Sequence, residues 1–228
     1  MQSLADVAGT LSLLEVGARH GLERFVGVGS QAEYGAIGGK TDESCLPAPT
    51  TLYGASKLAA CHLVSQRCAS EGISFAWARL FSAYGPGDRP NWLIPSAVAE
   101  ICAGRSPKLT SGRQRWDYLF IDDVASALLA LSETRSAVGV FNVGSGRSAT
   151  VRSIVEAIRD RATPSLNLIF GEIEHRSDQI WHMEADITKL RASTGWKPMI
   201  GLEDGLCRTI AAHRNALAAG ESRKHVLS

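Results

Sequence analysis

The chain has 228 residues and a formal net charge of +1. That length buries a substantial core, and the near-neutral balance gives no field of the kind that marks a binder of nucleic acid or anionic membrane. Hydrophobic residues at 45% and charged residues at 21% exclude a disordered segment and are ordinary for a globular enzyme.

In chain order, Leu4, Val7, Leu11 and Leu14 fall on one stripe at helical spacing, which predicts an amphipathic helix from about Ser3 to His20, ended by Gly21. Arg24 to Val28 reads as a short buried strand. The segment down to Leu52 holds Gly35, Gly38, Gly39, Pro47 and Pro49, a loop composition. A second helix is predicted from Tyr53 to Ser70 and a β-rich strand from Ile73 to Leu80. Strand, helix and strand in that order make a parallel α/β unit. Beyond a turn-rich break from Tyr84 to Pro90, the pattern predicts a helix from Ile94 to Ala103 and a helix reaching Leu131 that Asp122 or Asp123 can cap. A strand from Val138 to Val143, a helix from Val151 to Arg161, a helix beginning near Asp186 and one from Leu202 to Ala219 complete the reading. The five cysteines are odd in number and scattered, with no C-x-x-C pair, and the histidines lack ligand spacing. Buried thiols in a reducing cytosol and no metal are the expectation. No basic leader and no apolar run of about 18 residues is present, so the expectation is a soluble cytoplasmic protein without a membrane partner.

Gly27-Val28-Gly29-Ser30-Gln31-Ala32 spells G-x-G-x-x-A after an apolar run, a form of the dinucleotide-binding fingerprint. A phosphate loop must open a helix, whose free N–H groups hold the pyrophosphate. Glu33 to Gly39 do not read as a helix start, so this stretch is not expected to be one. Tyr53-Gly54-Ala55-Ser56-Lys57 is Y-x-x-x-K, and four residues on a helix put phenol and ammonium on one face. A phenol titrates near 10, and a neighbouring cation favours its phenolate. Such a tyrosine can exchange a proton with a carbinol oxygen while hydride moves at the carbon.

The runs FVGVGSQAEYG, PTTLYGASKLAA, ARLFSAYGPGDRP, RWDYLFIDDVASAL, GVFNVGSG and GWKP together resemble the extended short-chain dehydrogenase/reductase family. More narrowly, they are similar to the NAD-dependent epimerases and dehydratases of nucleotide-activated sugars. The resemblance covers nearly the whole chain. It implies Ser30 as the catalytic hydroxyl that hydrogen-bonds the reacting sugar oxygen, Tyr53 as general acid/base, and Lys57 as the lysine that lowers the tyrosine's pKa and binds the nicotinamide ribose. It also implies that Phe81 lies against the nicotinamide end of NAD or NADP, and that Arg115 and Arg176 contact the diphosphate or nucleoside, with Ser30 and Ser82 facing the sugar. The family usually sets Arg and Asp side by side, whereas Trp116 intervenes between Arg115 and Asp117, and Ser82 stands where many members have asparagine. Sugar 4,6-dehydratases carry an acid pair directly after the catalytic hydroxyl. Gln31 and Ala32 stand there instead, which disfavours elimination and leaves 4-epimerase or 4-ketoreductase.

The implied fold is α/β, a doubly wound, Rossmann-like parallel sheet with a smaller, interleaved C-terminal substrate lobe. Residues 1–85 are expected in the NAD(P)-binding domain and 86–228 mainly in the substrate lobe, with strand 138–143 returning to the main sheet. The family's glycine-rich loop would lie upstream of this sequence, and roughly 80 residues of cofactor domain are expected to be missing, by the usual size of βα units. The alternative is a catalytically inactive remnant that keeps only ligand or partner binding. Helices at Leu4 to Ala18 and Leu58 to Ser70 match the pair that joins subunits in this family, so a homodimer acting on a nucleotide-diphosphate sugar is expected. In a shortened sheet an exposed edge would favour aggregation.

Overall fold

The computed structural model describes residues 2–175 and 179–226. Helix α1 (Gln2–Arg19) leads into β1 (Arg24–Ser30) and a short 3-10 turn (Gln31–Glu33). Then come β2 (Gly39–Thr41), α2 (Leu52–Glu71), β3 (Ser74–Leu80), β4 (Ser82–Tyr84) and α3 (Leu93–Cys102). The second half contains β5 (Arg115–Phe120), α4 (Ile121–Glu133), β6 (Gly139–Val143), β7 (Ser148–Thr150), α5 (Val151–Ala162), β8 (His182–Ala185), α6 (Thr188–Thr194) and α7 (Leu202–Val226).

The first sheet has the order β1-β3-β6, all parallel, with Arg24 opposite Ser74 and Ala76 opposite Gly139. Its central strand β3 is buried on both faces, and the two-residue period of a strand sorts its side chains. Phe75 and Trp77 turn toward α1 and α2, where Leu14, Ala60, Val64 and Cys68 meet them. Ala76 and Ala78 turn toward α4 and α6, against Val124, Ala127, Leu131, Leu190 and Trp196. Leu14 and Val64 are fully buried, and each such side chain stabilises the packing by about 1.5–3 kcal/mol. The result is the helix–sheet–helix layering of an α/β fold.

A second, five-stranded sheet has the order β2-β8-β5-β4, with β7 antiparallel against β5. Helices α3, α5 and α7 cover it through Ile94, Val98, Ile101, Ile154, Ile158, Leu206 and Ile210. The chain passes between sheets at Phe81: its N–H donates to Val143 O in the first sheet at 2.9 Å, and Ser82 then pairs with Tyr118 in the second. Asp117 ties the same seam, its buried carboxylate accepting from the N–H groups of Ser145, Gly146 and Ala185 at 2.7, 3.0 and 3.0 Å.

The sequence pattern predicts no strand at Arg115–Phe120 or His182–Ala185, and so misses this sheet. Asp117 occupies a buried strand position as a polar residue satisfied by four donors, which hides the apolar alternation. The cap of α4 also differs. Phe120 is its N-cap, Asp122 lies in the first turn facing Arg208, and Asp123 instead accepts from the N–H groups of Met199 and Ile200.

Both margins of the first sheet are bonded by side chains. On β1, Lys57 Nζ donates to Val28 O at 3.0 Å and Ser30 N–H donates to Glu33 Oε1 at 2.9 Å. On β6, Lys189 Nζ donates to Val140 O at 2.8 Å and Asn142 N–H donates to Glu43 Oε1 at 2.8 Å.

Candidate active site

The site is built where β1 ends and α2 begins. Ser30 closes β1 in extended backbone and caps the 3-10 turn, its Oγ accepting from Ala32 N–H at 3.2 Å. Thr51 caps α2 by accepting from Gly54 N–H at 3.0 Å. The first turn of α2 sits directly on the turn after Ser30, and a Cβ on Gly54 would lie 2.2 Å from Ala32 O. Only glycine permits that approach, which sets Tyr53 beside the end of β1. One helical turn on, the Lys57 ammonium bonds Val28 O, two residues before Ser30.

Tyr53 is 49% exposed, and its hydroxyl bonds no other described residue. Behind Tyr53 and Lys57, between α1 and α2, lies a cavity of about 20 Å³ bordered by Asp6, Thr10, Ser56 and Trp77, room for one water. An exposed phenol, a hydroxyl at a strand end and an ammonium one turn away make a rim suited to moving a proton at a substrate oxygen.

Under this rim runs a buried polar chain that the sequence reading misses. Glu33 is fully buried; its Oε1 accepts from Trp77 Nε1 at 2.9 Å and its Oε2 from Arg79 Nε at 2.7 Å. The Arg79 guanidinium carbon lies 4.5 Å from the centre of the Tyr34 ring. Burial works against its charge, but Tyr34 and Glu33 outweigh that and hold its pKa above the ordinary value. Burial pushes the Tyr34 phenol up; it donates to Asn142 Oδ1 at 2.8 Å, and Asn142 Nδ2 donates to Thr41 O at 2.9 Å. An arginine inside a largely apolar strand, Arg79, and the S-x-x-E spacing of Ser30 and Glu33 are sequence signals that could have revealed the chain. Gly35 follows with φ +76°, and a Cβ there would lie 1.9 Å from Ala48 O.

The remaining sequence-derived residues are spread over the second sheet and the crossing. Phe81 is 5% exposed and packs with Tyr34, Met183 and Ala185. Ser82 opens β4, half-buried. Arg115 opens β5 on the surface, its guanidinium donating to Ser148 Oγ at 3.1 Å and Ser148 O at 2.6 Å, with Ser148 in turn bonding Glu184 and His182. Arg176 lies outside the described residues. Among the described residues, no group of three or more His, Cys, Asp or Glu is placed to hold a metal ion, and no helix is long and apolar enough to cross a membrane.

Residues 3–144 match the NAD dependent epimerase/dehydratase family. The chain is 30% identical over 212 residues to a GDP-6-deoxy-D-mannose reductase of Pseudomonas aeruginosa, covering 88% of this chain and 69% of the relative. It is 29% identical over 212 residues to a dTDP-glucose 4,6-dehydratase of Streptomyces griseus, covering 90% of this chain and 63% of the relative. It thus spans about two thirds of the length of these curated relatives. Among solved structures, RMD from Pseudomonas aeruginosa complexed with NADPH matches with a TM-score of 0.80 at 31% identity, over 89% of this chain and 70% of that one. MoeE5 in complex with UDP-glucose and NAD matches at 0.82 and 29%, over 91% and 70%.

Proposed function

Because the chain belongs to the NAD-dependent epimerase/dehydratase family, we propose that it acts in the cytoplasm on a nucleotide-diphosphate sugar, as a 4-epimerase or 4-ketoreductase using NAD or NADP. The observation that carries the reading is the junction of β1 and α2, where Gly54 pressed on Ala32 and Lys57 bonded to Val28 O gather Ser30, Tyr53 and Lys57 at one strand end. In the proposed mechanism the Tyr53 hydroxyl gives or takes the proton at the sugar carbinol oxygen. Ser30 Oγ hydrogen-bonds the same oxygen and holds it beside the phenol. The Lys57 ammonium lies one turn away, where it stabilises negative charge developing on Tyr53. A bound nicotinamide supplies or accepts the hydride.

The residues present fit the nicotinamide end of such a cofactor, with Tyr53 and Lys57 on an open rim. Phe81 offers it little but backbone, since its ring is in the core. Gly27 and Gly29 do not fit the pyrophosphate, because the Trp77 ring fills the space beside both. For the substrate we assign Ser82 to the sugar and Arg115 and Arg176 to the diphosphate, since a guanidinium pairs bidentately with phosphate oxygens. Residues 1–85 would form the cofactor side and 86–228 mainly the substrate side, with 138–143 in the main sheet. Elimination of water is disfavoured, because Gln31 and Ala32 carry no acid and the Glu33 carboxylate is turned inward onto Trp77 and Arg79. Exposed Leu13, Val16 and Leu63 on α1 and α2 are the proposed homodimer face.

Calorimetric titration with NADH and NADPH, followed by turnover assays with UDP- and GDP-sugars and their 4-keto derivatives, tests this. Micromolar cofactor binding with epimerisation or ketone reduction is the expected result. Binding without turnover would support the second reading, a ligand-binding chain without catalysis; binding of neither cofactor overturns the enzyme reading for this chain.

A further inference from the structure

Glu33 has no place in the proton transfer just described, yet it is a fully buried carboxylate directly beneath Ser30. Burying such a charge is costly unless it is paired and hydrogen-bonded, and Glu33 is both. Its Oε1 accepts from Ser30 N–H at 2.9 Å and Trp77 Nε1 at 2.9 Å, and its Oε2 accepts from Arg79 Nε at 2.7 Å. Ser30 and Glu33 form a capping box on the 3-10 turn, Ser30 Oγ accepting from Ala32 N–H at 3.2 Å and Glu33 Oε1 from Ser30 N–H, while the backbone bonds from Tyr34 N–H to Gln31 O at 3.0 Å and from Gly35 N–H to Ala32 O at 3.3 Å also close the turn. What the Glu33 bond adds is a fixed Ser30 amide on the margin of β1, with the residue at φ −148° and ψ 149°.

We propose that Glu33 is the positioning residue for Ser30: its buried carboxylate, clamped by Trp77 and Arg79, fixes the last amide of β1 and thereby the direction of the serine hydroxyl. This rests on the catalytic reading of Ser30 above. Arg79 has a second effect, neutralising the carboxylate so that no uncompensated negative charge lies under the rim where Tyr53 handles a proton. The clamp reaches further, since Arg79 stacks on Tyr34, Tyr34 bonds Asn142 and Asn142 bonds Thr41 O. The orientation of Ser30 is therefore set from the second sheet as well as from its own strand.

The test is a double-mutant cycle of Glu33→Gln with Ser30→Ala. A glutamine keeps the shape but turns a donor toward Ser30, Trp77 or Arg79, all of which are donors. Acting through Ser30, Glu33→Gln should lower kcat about 10- to 100-fold with KM for the sugar nucleotide within about 2-fold, and should cost less than about 2-fold more once Ser30 is alanine. If the two losses simply multiply, or if KM rises with kcat unchanged, Glu33 is structural only and the proposal is overturned. Should Glu33→Gln fail to fold, Trp77→Phe removes one donor and leaves the ion pair, and the same absence of effect in the Ser30→Ala background is required. Amide hydrogen exchange separates this proposal from the enzyme reading. The Ser30 N–H should exchange at least about 10-fold faster in whichever of these variants folds, with Gly27 and Gly29 unchanged, even if the chain turns over no sugar. Equal acceleration along β1 would refute the positioning role.

Discussion

Tyr53 is the residue whose loss should separate chemistry from stability most cleanly. It is half-exposed and its hydroxyl bonds no other described residue, so Tyr53→Phe should leave the thermal midpoint within a degree or two, roughly the surface-substitution range. Turnover should fall by about 10²- to 10⁴-fold, the usual scale of a lost general acid/base; circular dichroism melts beside steady-state kinetics check both. Gly54→Ala should do the opposite, because the new methyl meets Ala32 O. It should damage both activity and the midpoint, by overpacking worth about 1–3 kcal/mol. The thiols also sort by place. Burial beside Glu33 pushes Cys61 up to about 12, so on the order of one molecule in 10,000 is thiolate at pH 8, whereas Cys207 is exposed. Timed iodoacetamide labelling read by mass spectrometry should modify Cys207 first and Cys61 last. At this scale the sequence exposes Ser30, Tyr53 and Lys57, because Y-x-x-x-K is local. The burial of Glu33 stays hidden, because, apart from Ser30 three residues before it, its partners Trp77 and Arg79 lie 44 and 46 residues away and a glutamate in a Gly-rich loop reads as solvated.

Elements with one clear period are legible, and those whose pattern is broken by a buried polar group are not. Helix α2 matches the predicted Tyr53 to Ser70 to within a residue at each end, and Gly72 ends it at φ +69°. Strand β3 shows as a β-rich run because both its faces are buried. Strand β8 is four residues long and carries His182 and Glu184 on its polar side, too short to show a period. Helix α6 begins at Thr188, two residues after the Asp186 suggested by sequence, because the Asp186 carboxylate accepts from Thr188 N–H at 2.8 Å and stays outside the helix. That bond, with Lys40 nearby, lowers the Asp186 pKa below the ordinary carboxylate value of 3.8. A lowered native pKa means that the unfolded state binds the proton more readily, so the contribution is present above pH 3.8 and is lost as pH falls through the native value. Asp186→Ala removes this bond and should cost about 1 kcal/mol near neutrality, the usual net worth of one hydrogen bond. Urea melts of both proteins should converge as the pH is taken below about 3.8.

At the scale of the whole molecule, the α/β class and parallel first sheet are legible from strand, helix, strand spacing, while the second sheet is not, since it forms from segments far apart in sequence. Asp117 joins the two, and every group it meets is a donor. Asp117→Asn turns an amide N–H toward one of them and should lower stability by about 1–3 kcal/mol, measured by urea denaturation. If α1 and α2 pair two subunits, Leu63→Glu should convert a dimer to a monomer in sedimentation velocity, with α2 still helical. The margins of the first sheet carry a further consequence. At each, a lysine takes a carbonyl and a glutamate takes the N–H two residues on, which is the hydrogen-bonding footprint that one residue of a parallel neighbour would leave. Each Lys/Glu pair is a counterfeit strand. A stray chain seeking to zip onto either margin at these positions must first evict an ammonium and a carboxylate from bonds they already hold, a local cost to edge pairing that comes from charge rather than from bulk.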